Sequence, residues 1–242
     1  MEYCIRGNEG TFQLPKNGSD LASFIVAHPT YIYPLINIVN VLSEVNYDQR
    51  SDFTASSLRE CELMGQVIVD TPESTHFVQV LESFLQRDIA TSGQLRGKLL
   101  EYLINAIGPM SDLGDNRQTV RDCYLVDSEE RLMGGGSNFD FAFIDYENRK
   151  YELLECKFTL ANFLDYRKAQ AMRKIEYMDT ISNILIGKNY NVHVAFVSLA
   201  FSIAYELYFL DNHGLTQIAI YNYEDMMTRF EVRRSSQKNQ SV

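Results

Sequence analysis

The chain has 242 residues and a formal net charge of −10, with ordinary apolar content, abundant tyrosine and phenylalanine, and no tryptophan. This length allows one large domain, or a core with a smaller companion. The charge argues against a broad polyanion-binding surface. It does not exclude a nuclease, because catalytic carboxylates become a cation site once a metal is bound.

Membrane and secreted proteins are also disfavoured by the sequence. Pro29 and Pro34 interrupt the best apolar stretch, residues 21–42, so no membrane-spanning segment is predicted. The N-terminus lacks the basic-then-apolar pattern of a secretory signal. The four cysteines are scattered without metal-knuckle spacing, which is typical of reduced thiols. We therefore expect a cytoplasmic protein that binds no membrane.

Residues 1–90 are predicted to form a separate, mainly helical region. Apolar spacing and capping residues indicate helices, and one short apolar run indicates a strand. The helices are predicted over 33–45, 52–63 and 75–86, and the strand over 65–70. A winged-helix-like module would suit this order, but a basic recognition helix is missing. A region for packing, dimerisation or substrate selection is favoured instead.

The pattern changes at about residue 91 and continues to 230 with alternating helices and strands. The helix over 92–107 is predicted to stop at Gly108-Pro109. The strands are predicted over 119–126, 137–144, 151–158, 191–199 and 215–221. Two more helices are predicted over 161–186 and 204–209. Residues 134–136 and 145–149 are predicted turns, and residues 231–242 a flexible polar tail.

This order predicts an α/β domain with a mixed sheet. The first three strands can form an antiparallel meander, and the long helix then crosses to a strand parallel to the third. The glycines Gly134-Gly-Gly136 do not match the phosphate-binding loop patterns.

Two carboxylates and a lysine lie inside predicted strands, where burying them is costly unless something compensates their charge. Asp140 lies in one strand; Glu155 and Lys157 lie two residues apart in the next, so both point to one face. Carboxylate oxygens are the ligands that Mg²⁺ or Mn²⁺ prefers, and the carbonyl of Cys156 and the side chain of Glu101 could add to the shell. Lys157 could orient a water and counter charge at a phosphate. The pattern predicts a metal-dependent phosphodiesterase.

Asp140 followed by Glu155-Cys156-Lys157, with Glu101 on a preceding helix, resembles the PD-(D/E)xK nuclease superfamily. The resemblance covers about residues 93–200 and implies a restriction-endonuclease-like αβββαβ core. It implies that Asp140 and Glu155 bind metal, that Lys157 is catalytic and that Glu101 assists. Gln170, on the following helix, matches a polar position that some members use near the site. Phe139 stands where the motif has proline.

The expected function is therefore that of an Mg²⁺- or Mn²⁺-dependent endonuclease, with DNA favoured over RNA as the substrate. Restriction, defence or genome maintenance would suit the resemblance. Cutting both strands of a duplex requires two sites, which favours a homodimer. A basic strip could hold the phosphates, although these charges could equally be balanced on the helix surface by Asp165, Glu176 and Asp179. The strip would comprise Arg96, Lys98, Arg167, Lys168, Arg173 and Lys174.

The sequence leaves other readings open. The chain could be a catalytically inactive nuclease fold that binds nucleic acid or serves as an assembly subunit. It could also be a protein–protein regulatory module whose carboxylates are structural, with Glu155 and Lys157 a plain ion pair. If the carboxylates repel one another without metal, removing Asp140 or Glu155 should raise the stability of the metal-free protein.

Overall fold

The computed structural model of the protein describes residues 3–8, 14–41, 50–85, 89–113, 117–127, 130–132, 138–161, 163–164 and 169–240. They form two compact units. The sheet unit comprises Met1–Thr11 and Gly108–Val232. The helical unit comprises Phe12–Ile107 and Arg233–Val242.

The sheet unit contains one mixed seven-stranded sheet, which confirms the predicted α/β class and mixed sheet. The strands are β1 (Tyr3–Asn8), β2 (Gln118–Asp127), β3 (Glu130–Arg131), β4 (Phe139–Asp145), β5 (Lys150–Cys156), β6 (Asn191–Val197) and β7 (Ile218–Tyr221). Their order is β1-β2-β4-β5-β6-β7, with β3 pairing only with β2. The neighbours from β1 to β5 are antiparallel, whereas β5, β6 and β7 are parallel. The predicted meander and parallel crossover are both present.

Strand β5 is the central strand and is buried on both faces. Phe141 of β4 pairs with Leu154, and Cys156 pairs with Val197 of β6 on the other side. A near-continuous apolar sequence fits a strand that is covered on both faces. The turn between β4 and β5 includes Arg149 at a φ of 54°. The predicted glycine turn, residues 134–136, lies outside the described residues.

The helix after β5, α6 (Ala169–Ile186), covers one face of the sheet. Its buried residues include Ile175, Met178 and Ile181, which follow helical spacing. They join one apolar cluster with Leu153 of β5 and Phe196 of β6. The predicted helix over 161–186 therefore begins eight residues later than expected, after a turn that buries Leu160 and Leu164.

Strand β1 is the one long strand of this sheet that the sequence did not predict. It pairs with β2 across an irregular register between Arg6 and Asn8, opposite a residue, Asp122, with a φ of 47°. Gly7 lies at this irregularity. A Cβ at Gly7 would clash with the carbonyl of Arg121, so only glycine allows this close approach of the two backbones.

The helical unit is built from five α-helices and a short 3-10 helix over Pro29–Tyr31, among the residues described. These α-helices are α1 (Lys16–Ala27), α2 (Ile32–Val41), α3 (Arg50–Leu63), α4 (Pro72–Leu85) and α5 (Ile89–Ile107). Helix α1 packs against α4 and α5. The strand predicted over 65–70 is not formed: these residues make turns in which Val67 is buried and Ile68 is exposed.

The boundary between the units lies after Ile107. The sequence predicts this boundary at about residue 91. In the structure, α5 belongs to the helical unit and continues to Ile107. The helix ends there because Gly108 has a φ of 83° and Pro109 follows it. Two further helices complete the chain, α7 (Ala204–Asn212) and α8 (Tyr223–Gln240). Residues 231–240 of the predicted polar tail belong to α8.

Within the part of the chain described, no single helix combines the length and apolar character needed to cross a membrane. The bent pair Lys16–Ala27 and Pro29–Asn40, at 118°, meets those two criteria when taken together.

The other face of the sheet carries buried polar groups. Glu152 of β5 is fully buried and accepts hydrogen bonds from the backbone N–H groups of Met110 (2.9 Å) and Ser111 (2.7 Å). Burial raises the pKa of Glu152 despite these bonds. His193, beside Glu152 on β6, hydrogen-bonds through Nε2 to the hydroxyl of Tyr221 at 2.5 Å. These residues fix the loop after α5 and the β6–β7 pairing.

His193 should make the protein lose stability as the pH falls below neutrality. Burial lowers the pKa of His193 from its ordinary value of 6.5. The unfolded chain therefore takes up a proton near pH 6.5, while the folded protein does not until its lower pKa is reached. Stability from this group is complete above pH 6.5 and declines below it. Thermal melts between pH 7.5 and 5.5 should show this slope, and His193→Gln should flatten it. Equal slopes for both proteins would contradict this role.

Candidate active site

Asp140 and Glu155 lie at opposed positions on neighbouring strands. Because Phe141 pairs with Leu154, the next opposed positions along β4 and β5 are Asp140 and Glu155. Leu153 belongs to the apolar cluster under α6, and side chains alternate along a strand, so Glu155 is on the α6 side of the sheet. The Oδ2 atom of Asp140 accepts a 2.6 Å hydrogen bond from the backbone N–H of Cys156. The side chain of Asp140 thus accepts a backbone hydrogen bond from β5 at the point where backbone pairing between β4 and β5 ends.

Glu155 is bound by two lysines. Its side chain is buried, and its Oε1 atom accepts a 2.5 Å hydrogen bond from the Nζ of Lys157. Its Oε2 atom lies 2.5 Å from the Nζ of Lys174, which is 12% exposed. This second contact is an ion pair without hydrogen-bond geometry, so Oε2 remains a buried oxygen that accepts no hydrogen bond. A buried carboxylate needs such compensation, since removing it from water is costly.

Lys174 connects three elements of the sheet unit. It comes from α6, contacts Glu155 at the end of β5, and donates a hydrogen bond to the carbonyl of Asn138 next to β4. Its Nζ also lies 5.7 Å from the ring centroid of Phe139, a cation–π distance. The beginning of β4 and the end of β5 are therefore held together by one ammonium group.

Lys157 contacts the carbonyl groups of the preceding residue, Cys156, and of Val197 at the end of β6. Its Nζ lies 3.3 Å from the carbonyl oxygen of Cys156, and its backbone N–H donates to the carbonyl of Val197. Burial by itself would lower the pKa of Lys157, but attraction to Glu155 and Asp140 outweighs it, and the pKa is raised. Lys157 is therefore an ammonium group, and acts in this state as a hydrogen-bond donor and a positive charge, not as a base.

Asp140, Glu155, Lys157 and Lys174 form what we call the charged cluster. Two carboxylates balance two ammonium groups. Glu155 contacts both lysines, and attraction to Glu155 and Asp140 raises the pKa of Lys157. The geometry required by the sequence hypothesis, with three side chains on one side of the sheet, is present.

The remaining predicted site residues lie elsewhere in the chain. Glu101 lies on α5 in the helical unit, where its Oε2 is 2.7 Å from the Nζ of Lys98. Gln170 lies in the first turn of α6 and is exposed. In the predicted basic strip, Arg96 donates to the carbonyl of Val39, Arg173 is exposed, and residues 167–168 lie outside the described part.

Lys174 was considered either for a phosphate-binding strip or as a balanced charge on the helix surface, and its contact with Glu155 was not predicted. The available signal was its position four residues after Gln170, one helical turn further along the same helix. Spacing alone could not show how far α6 reaches over the sheet, because the helix begins at Ala169 and not at residue 161.

The donor set of the charged cluster fits a hard divalent cation. Asp140, Glu155 and the carbonyl of Cys156 offer oxygen ligands, and the Oε2 of Glu155 is a buried acceptor without a hydrogen bond. Among the residues that the structure describes, no group of three or more His, Cys, Asp or Glu side chains could hold a metal ion. Mg²⁺ commonly uses one or two carboxylates, completing its shell with waters and substrate phosphates.

Compared with known proteins, the sequence matches no family model, and no curated protein is significantly similar to it.

Removing Glu155 should destabilise the metal-free protein. Glu155→Ala leaves two ammonium groups without their shared carboxylate, one of them almost fully buried. Removing one partner of a buried ion pair lowers the free energy of unfolding by about 3 kcal/mol or more. Urea denaturation in the presence of a chelator measures this loss. This expectation is the reverse of the gain that carboxylate repulsion alone would give.

The matched control is Glu147→Ala, in the turn between β4 and β5, where the side chain is exposed. Its free energy of unfolding should change by less than about 0.5 kcal/mol. Unchanged or increased stability of Glu155→Ala would show that the two lysines do not compensate this carboxylate.

Proposed function

We propose that the protein is an Mg²⁺- or Mn²⁺-dependent endonuclease that hydrolyses phosphodiester bonds, with DNA as the favoured substrate. The observation that carries the proposal is the placement of Asp140 opposite Glu155, with Lys157 hydrogen-bonded to Glu155 on the same side of the sheet. Two carboxylates and an ammonium group at one site supply cation ligands and a positive charge for a phosphate.

The order of elements supports a restriction-endonuclease-like core of the PD-(D/E)xK superfamily. Along the chain, helix α5 is followed by β2, β4 and β5, then by α6 and β6, which is the expected helix, three strands, helix, strand sequence, although α5 belongs to the helical unit and the other elements to the sheet unit. The small strand β3 and the added strands β1 and β7 lie outside this order. The carboxylates and lysine of the motif come from β4, β5 and the residue after β5, as the resemblance requires.

The roles within the site follow from the contacts. Asp140, Glu155 and the carbonyl of Cys156 would hold the metal, which when bound supplies an activated water and neutralises charge on the phosphate. Lys157 is held as an ammonium group beside the carboxylates, so it would donate to the phosphate or to the attacking water. The hydrogen bond from the backbone N–H of Cys156 fixes one oxygen of Asp140.

Other parts of the chain would contribute around this site. Glu101 and Gln170 remain candidates for assisting roles, Glu101 through water and Gln170 as an exposed polar group. The helical unit would select the substrate or join two subunits of a homodimer. Since the chain carries a net charge of −10, contacts with DNA would be local to the site. Restriction, defence or genome maintenance would use such an enzyme.

One observation favours a second function, that of an inactive nuclease fold serving as a binding, assembly or regulatory subunit. Every carboxylate of the charged cluster already has a partner within the protein: Asp140 has the N–H of Cys156, and Glu155 has two lysines. A purely structural ion cluster would show the same contacts.

Cleavage assays test the first function. Purified protein should nick or cut DNA in the presence of Mg²⁺ or Mn²⁺, and a chelator should stop the reaction. Asp140→Asn, Glu155→Gln and Lys157→Met should each reduce the rate by about a hundredfold or more, the usual effect of removing one electrostatic contribution. The controls Glu147→Gln and Lys150→Met lie outside the charged cluster and should keep full activity. Full activity in any of the first three variants would refute the site, and RNA offered in parallel decides the substrate.

Metal binding separates the two functions without relying on turnover. Mn²⁺ should raise the melting temperature of the wild-type protein by mass action, because it binds only the folded state. Asp140→Asn should abolish this increase, whereas Glu147→Gln should retain it. A wild-type protein whose melting temperature does not respond to Mn²⁺ would favour the binding or regulatory subunit.

A further inference from the structure

The contacts of Lys174 are those of a cation in a metal site. Its Nζ lies 2.5 Å from the Oε2 of Glu155, an oxygen that accepts no hydrogen bond in the structure. The same Nζ takes a backbone carbonyl, that of Asn138, as a second oxygen partner. A carboxylate oxygen together with a backbone carbonyl is also a ligand pair that hard divalent cations use.

The charge balance of the cluster also indicates that a metal ion and Lys174 would compete for the same carboxylate. With both lysines in place, the carboxylates of Asp140 and Glu155 are neutralised without any metal. A divalent cation that arrives beside two ammonium groups meets repulsion at short range, and little solvent screens it because Glu155 is 4% exposed and Lys174 is 12% exposed at the side chain. Lys157 keeps its own oxygen of Glu155, so the oxygen that a metal can take is the one facing Lys174.

We propose that Lys174 is a positioning residue that competes with the metal for Glu155 and thereby sets the metal concentration at which the site fills. Without metal, Lys174 holds Glu155 in place and ties β5 to the residue preceding β4. When the metal binds, the ammonium group of Lys174 leaves the Oε2 of Glu155. This inference rests on the proposed metal-dependent function and names a regulatory contact within the same site.

The test compares Mn²⁺ binding to the full-length wild-type protein and to Lys174→Met by isothermal titration calorimetry. Coupling between two groups at one site is typically at least fivefold, so Lys174→Met should bind Mn²⁺ about fivefold or more tightly. In a chelator, the same variant should melt at a lower temperature than the wild type, because Glu155 has lost one counter-charge. The matched control, Lys188→Met, removes an equal charge from an exposed residue just after α6 and should leave Mn²⁺ affinity unchanged.

The outcomes distinguish the competition by Lys174 from the metal-dependent function on which it rests. Equal or weaker Mn²⁺ binding by Lys174→Met would overturn the competition and assign Lys174 a structural role, while leaving the metal site intact. Binding by Lys174→Met but not by the wild type would support competition in its strongest form. Absence of binding in both would overturn the competition together with the metal-dependent function.

A second measurement on the wild-type protein applies even if Lys174→Met fails to fold. Amine acetylation followed by mass spectrometry reports how accessible each lysine is. Saturating Mn²⁺ should increase the labelling of Lys174 several-fold and leave Lys188 and Lys98 unchanged, since Lys98 is paired with Glu101 in the helical unit. Protection of Lys174 that persists when Mn²⁺ is bound would overturn the competition.

Discussion

The buried carboxylate of Glu155 is the constraint on which the site depends. A carboxylate at the end of a central strand is tolerable only if its charge is compensated, and here two ammonium groups do so. One comes from the same strand end and the other from α6, so the compensation itself orders the tertiary structure. Because Lys174 also binds the carbonyl of Asn138, the electrostatic requirement of one side chain fixes the relation of β4, β5 and α6.

The position of this carboxylate follows from the change of pairing at β5. Strand β5 is antiparallel to β4 and parallel to β6, so its carboxyl end lies beside the start of β4 and the carboxyl end of β6. There the ladder with β4 stops, and Asp140 accepts the N–H of Cys156 in place of a backbone carbonyl. The ladder with β6 continues through the N–H of Lys157 to Val197. The backbone pairing with β4 therefore ends before the pairing with β6, and the charged cluster lies at that strand end.

The sequence predicted the elements whose signals are local, and it failed where structure depends on distant contacts. The strands carrying Asp140, Glu155 and His193 are apolar runs bounded by turns, and the mixed pairing followed from the long helix between them. Strand β1 was missed because its pairing depends on the close approach of Gly7 to Arg121, more than a hundred residues away. The turn over 65–70 was taken for a strand because four of its residues are apolar or small, yet Ile68 is exposed and no partner strand is available within the described helical unit. Asp140, Glu155 and Lys157 lie at one strand end, as their spacing predicts, whereas the contact of Lys174 with Glu155 depends on the packing of α6, which spacing does not determine.

The neutrality of the charged cluster has a consequence for how it would work. A metal alone adds two positive charges to a group that is already balanced, which is unfavourable in a site with little solvent screening. A phosphodiester brings a negative charge, so metal and substrate together disturb the balance less than metal alone. In the proposed enzyme, the same lysines that oppose the metal in the free protein would become partners of the phosphate once it is present. Binding of metal and nucleic acid should therefore be mutually reinforcing, and each should raise the affinity for the other by the same factor. If the protein is the nuclease proposed here, an ion cluster that is complete without metal gives it a physical reason to stay metal-poor until its substrate is in place.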